Sequence, residues 1–185
     1  MRKTKSILGL PIISISSAEN VGKVNNLIVN GKNGSIDYVL VETGEKTISS
    51  LVISTKDIIG VGEYAATIPN EQVMIDISNV PEAIELLQKN VQIKNTDILT
   101  QKGNLIGQSG DFYVDEDFNI AGLEFIQKQN DDLGIKIVPR GDVITFGKDL
   151  IILEENFANN LLESEKELTT DEPSNFFSNP MKKAL

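Results

Sequence analysis

Val24-Asn25-Asn26-Leu27-Ile28-Val29, then Asn30-Gly31-Lys32-Asn33-Gly34, then Ser35-Ile36-Asp37-Tyr38-Val39-Leu40-Val41 is the stretch that decides the fold. Ile36, Tyr38 and Leu40 alternate with smaller or polar residues, as a strand with one buried face requires. Between the two apolar runs, Asn and Gly residues accept positive φ at little cost, so the whole reads as a β-hairpin. A second hairpin follows 85 residues later as Phe112-Tyr113-Val114, Asp115-Glu116-Asp117-Phe118-Asn119 and Ile120 to Ile126.

Extending that shift outward without gaps lays residues 6–68 on residues 91–153. Gly22 falls on Gly107, Asp57 on Asp142, Gly62 on Gly147 and Ile13 on Ile98. The apolar register continues through Leu8 with Ile93, Tyr38 with Leu123, Leu40 with Phe125 and Val52 with Ile137. Apolar positions are kept while polar ones diverge, which is the signature of an internal repeat. The aligned glycines Gly22, Gly107, Gly62 and Gly147 are expected at structural turns. Short Ile- and Val-rich runs with no helix inside either copy predict a mainly β chain of two small antiparallel barrels.

Five segments follow: a first barrel over 1–78, a linking helix over 79–90, a second barrel over 91–153, a C-terminal amphipathic helix over 154–163 and a disordered tail over 164–185. Asn79, Pro81 and Glu82 make a helix-start signal, with Asn79 as cap, and the helix should reach Lys89. Leu153, Phe157 and Leu161 share a face at four-residue spacing, which predicts the second helix. Beyond Glu163, Ser, Thr, Glu, Asp and Pro dominate.

Arg2, Lys3 and Lys5 precede an apolar run, Ile7 to Ile15, and Ser16-Ser17-Ala18, an arrangement like a secretory signal. Gly9-Leu10-Pro11 interrupts that run, and it aligns with the internal segment 91–103, so we expect the first strand of a cytoplasmic protein there. No apolar run reaches the roughly 18 residues of a membrane-spanning helix.

Composition narrows the chemistry. The chain has no Cys and no His, which excludes disulfides, thiolate nucleophiles, imidazole bases and the usual zinc ligands. A net charge of −10 opposes direct binding of nucleic acid. Gly60-Val61-Gly62-Glu63-Tyr64-Ala65 fits a dinucleotide fingerprint, but Pro69 forbids the helix that must follow, and we read a β-turn. Asp115, Asp117 and Asn119 have calcium-loop spacing, yet Ile120 and Ile126 stand where Gly and a bidentate Glu are required. Asp57 and Asp142, and the serine pairs Ser16-Ser17 and Ser49-Ser50, have no group to complete a mechanism. We expect no enzyme activity, no cofactor and no metal.

Leu8-Gly9-Leu10-Pro11-Ile12-Ile13, Val21-Gly22-Lys23-Val24, Gly34-Ser35-Ile36 and Ile53 with Asp57-Ile58-Ile59 together resemble the PRC-barrel superfamily. Leu105-Ile106-Gly107-Gln108 and Asp115 to Leu123 resemble it a second time, as in stand-alone tandem PRC-barrel proteins of bacteria. The resemblance implies compact barrels that bind proteins or support cofactor-bearing partners. It suggests a non-catalytic adaptor or scaffold with a protein partner, contacted through Phe157, Leu161, Phe176 and Phe177. The alternative is a small-ligand carrier or a factor associated with ribosome or RNA processing. Self-association stays open.

Overall fold

The computed structural model describes residues 1–44, 50–127 and 134–168. Phe176 and Phe177, like Ser49, lie outside them. Fourteen strands form two sheets of seven. The first contains β2 (Pro11–Ser14), β3 (Asn20–Asn30), β4 (Ser35–Glu42), β5 (Leu51–Ser54), β6 (Gly60–Val61), β7 (Ala66–Ile68) and β8 (Ile75–Asp76), in the order β6-β7-β2-β3-β4-β5-β8. The second contains β9 (Asp97–Thr100), β10 (Leu105–Val114), β11 (Ile120–Gln127), β12 (Lys136–Pro139), β13 (Val143–Phe146) and β14 (Leu150–Leu153), in the order β12-β11-β10-β9-β14-β13. Its seventh strand is β1 (Arg2–Lys3), which pairs with β10.

Neither hydrogen-bonded path closes, so the expected barrels are open sheets. Nor are they purely antiparallel: β2 runs parallel to β7, and β9 parallel to β14. These pairs join strands distant in sequence and carry no turn signal.

The two sheets share their register. Ile12 pairs with Gly22 and Ala66, and Ile98 with Gly107 and Ile151. Val39 pairs with Leu27 and Ile53, and Leu123 with Phe112 and Val138. The gapless shift of 85 therefore fails at two strands: the spacing is 86 from Ile12 to Ile98 and 84 from Val39 to Leu123. Ile98 answers Ile12, not Ile13, and Leu123 answers Val39, not Tyr38. Single-residue differences in the flanking loops absorb the change. Burial agrees, since Ile12, Ile98, Val39 and Leu123 are all buried whereas Ile13 and Tyr38 are half-exposed. A one-residue slip reverses every side chain of a strand, so the register is well determined by the core.

One continuous apolar core joins the sheets, with Ile12, Val39 and Ile68 in the same cluster as Ile98, Leu123 and Leu153. At the joint, Ile36 N donates to Phe118 O and Ile120 N to Gly34 O, both at 2.9 Å. Ile36 answers Ile120 and Gly34 answers Phe118, each pair 84 apart, so the contact is self-complementary in the manner of a two-fold interface. Gly34 and Phe118 both have positive φ, 69° and 63°.

Helix α1 (Pro81–Lys89) lies on β3, with Ala83 buried against Ile28 and Val52. Asn79 does not cap it: Asn79 ends a 3₁₀ turn, Ile77–Asn79, and Val80 occupies the cap position. The C-terminal helix expected over 154–163 is instead a 3₁₀ turn, Phe157–Asn160, followed by a bridge from Leu162 to Ile137. Asn160 Nδ2 donates to Asp142 Oδ1 at 2.9 Å, and Leu162 exchanges backbone hydrogen bonds with Ile137, which draw the segment into an edge pairing. The bridge answers the β8 pairing Val52↔Ile75 in the first sheet. The tail does not begin at 164 either. Ser164 and Glu167 form a capping box, and Leu168 is buried on Tyr113 and Ile137 as Val80 is packed on Ile28 and Val52. Among the described residues, no helix is long and apolar enough to cross a membrane.

Candidate interaction sites

Phe157 is buried and meets the Phe125 ring edge-on, with centroids 5.6 Å apart. With Leu161, Leu105, Ile106 and Phe125 it lines an apolar groove of about 170 Å³ at one end of the second sheet. Leu105 at its mouth is 47 % exposed, and Ile126 and Ile135 at the same end are 42 % and 55 % exposed. The corresponding end of the first sheet is polar: Asn20, Glu42 and Ser50 occupy the matching positions, all exposed. Its groove is lined by Asn20, Lys23, Glu42 and Glu71.

A second feature lies between the sheets. A cavity of about 520 Å³ is walled by Ile58, Val61 and Glu63 on one side and by Val114, Glu116 and Phe118 on the other, with Met1 and Arg2 at its rim.

The N-terminal segment crosses from the first sheet to the second and ends its travel in a buried polar cluster. Thr4 Oγ1 donates to Asp111 Oδ1, Lys5 N to Asp111 Oδ2 at 3.1 Å, and Asp111 N to Glu124 Oε2 at 2.8 Å. Lys3 Nζ stands 2.5 Å from Glu124 Oε1 and 5.4 Å from the Tyr113 ring centroid. The hydrogen bond from Glu124 holds the Lys3 ammonium above the usual lysine range, against the opposing effect of burial. This cluster was invisible in the sequence, because 107 residues separate Thr4 from Asp111.

The glycines divide into two kinds. Gly62 N donates to Ala65 O and Gly147 N to Leu150 O, so both sit in hairpin turns. Gly22 and Gly107 lie inside β3 and β10 beside bulges. A Cβ on Gly22 would meet Val41 at 2.7 Å and the Glu42 carbonyl at 2.8 Å. One on Gly107 would strike the Ile126 carbonyl and reach the Phe125 ring at 2.6 Å.

Of the motifs set aside above, Gly60–Val61 is strand β6 and opens no helix. Asp115 accepts from Asp117 N, Asn119 N and Asn119 Nδ2, which makes it the anchor of a hairpin turn. Asp57 is exposed while Asp142 is buried, each ending a 3₁₀ turn of its own sheet.

Compared with known families, residues 1–78 match the PRC-barrel domain. No curated protein matches the chain.

Proposed function

We propose that the chain, whose residues 1–78 carry a PRC-barrel domain, is a non-catalytic protein-binding scaffold made of two such units, the second formed by residues 91–168. Shared strand order and register support the second unit, with the loop differences expected of a diverged duplication. The strands β1 and β2 occupy residues that a secretory signal would remove, which favours a cytoplasmic protein.

The observation that carries the binding role is the asymmetry between the two ends. Where one unit shows Asn20, Glu42 and Ser50 to solvent, the other shows Leu105, Ile126 and Ile135 beside the groove of Phe157 and Leu161. Exposed aliphatic groups at positions that tolerate polar ones contribute nothing to folding and gain most from a partner's apolar side chains. The test exchanges them for their counterparts: Leu105→Asn, Ile126→Glu and Ile135→Ser together. Affinity capture from the source cell should lose a specific protein while the unfolding midpoint stays within a few degrees. Capture of the same proteins by both forms would refute the assignment.

A further inference from the structure

The cavity between the sheets has a counterpart, and that counterpart is filled. Val61 pairs with Ala66 as Phe146 pairs with Ile151, so the matching crossing lies between Phe146 and the first hairpin turn. There the backbones approach closely, because a Cβ on Gly31 would meet Phe146 O at 2.8 Å and Val91 Cγ2 at 3.0 Å. Gln92 N donates to Gly147 O at 3.4 Å. The chain itself, at Val91-Gln92, closes that crossing.

On the other side, nothing plays the part of Val91. The first unit's chain turns away at Thr4 to Asp111, and the turn Asp115-Glu116-Asp117 has no glycine to permit a close approach. What is left is the 520 Å³ space lined by Ile58, Val61, Val114 and Phe118, with Glu63 and Glu116 at its sides. The filling segment of the twin reads Lys89-Asn90-Val91-Gln92-Ile93-Lys94, an aliphatic residue between lysines, and its charge complements those two carboxylates.

We propose that this cavity is a docking site for an extended segment of a partner protein that carries an aliphatic residue flanked by basic ones. The aliphatic side chain packs on Val61 and Phe118, and the following backbone N–H meets the Gly62 carbonyl, as Gln92 meets Gly147. The site is separate from the Leu105 groove, so either can fail without the other.

The probe is a labelled synthetic peptide with the sequence of residues 89–95, added to the full-length protein. Saturable binding is expected, with NMR shifts centred on Gly60 to Glu63 and Val114 to Glu116. Val61→Phe, which installs the twin's own residue, should weaken it more than tenfold. Glu63→Lys with Glu116→Lys, two exposed positions unconnected to the core, should weaken it roughly tenfold. The groove exchange should leave it unchanged. No saturable binding at millimolar peptide, shifts elsewhere, or binding indifferent to both variants would overturn the proposal. So would a small aliphatic amine that shifts these residues when the peptide does not, since the cavity would then be a small-molecule site.

Discussion

Replacing Lys3 with Met and Thr4 with Val together should destabilise the protein by about 3 kcal/mol, read from denaturant unfolding, because both changes strand buried charge. Asp111 and Glu124 are only 4 % and 8 % exposed, and among the described residues their side-chain partners are Thr4 and Lys3. Asp111 N also donates to Glu124, so the two substitutions act on one network, and their effects should not add. Lys5→Ala is the control, since only the Lys5 backbone enters the cluster, and it should stay within about 0.5 kcal/mol. The raised Lys3 value fixes the pH behaviour. A cation whose folded value lies above its unfolded one contributes fully below the ordinary lysine range and is lost only as pH rises through the folded value. The Lys3 contribution should therefore be constant between pH 6 and 9. A double variant as stable as the parent would show that the N-terminal crossing is not part of the folded body.

Gly107→Ala should cost about 2 to 4 kcal/mol, through overpacking against atoms that cannot yield. The added methyl would press on the Ile126 carbonyl, which belongs to the adjacent strand, and on the Phe125 ring, itself held by Phe157. Relief would require β10 and β11 to separate where the second sheet is most buried. Gly141→Ala provides the comparison, since its Cβ would meet nothing within 4 Å and it carries no positive φ. It should be nearly neutral. Equal midpoints for the two variants, by thermal unfolding, would refute the close approach at Gly107.

These two glycines also show how far the sequence could be read. Gly22 and Gly107 align at a spacing of 85, and the structure puts both against the neighbouring strand, although in strands instead of turns. The hairpins were legible because alternation and turn residues are local signals. The one-residue offsets at Ile12 and Val39 were not, since a chain rich in Ile and Val scores almost as well one step out of register. The spacing of Leu153, Phe157 and Leu161 fits a helical face, and all three do pack on the core, but through a strand, a 3₁₀ turn and an edge pairing. Hydrogen bonds from Asn160 and Leu162 decide that outcome, and their partners, Asp142 and Ile137, are 18 and 25 residues away in the chain. The groove at Leu105 and the cavity at Val61 could not be read at all, because each depends on residues brought together from several strands.

The account rests on the two units forming one body through the Ile36–Phe118 and Ile120–Gly34 exchange, and that joint can be tested by a covalent cross-link. Ser35 and Asn119 face each other there as a bridge between the hydrogen-bonded positions, the arrangement in which side chains lie closest. The chain has no cysteine, so Ser35→Cys with Asn119→Cys introduces a single pair free of competitors. On mild oxidation we predict an intramolecular disulfide in nearly every molecule, unchanged circular dichroism and undiminished capture of the partner. Thiols that stay reduced, or that link one molecule to another, would contradict the joint and with it the reading of the chain as a single rigid scaffold.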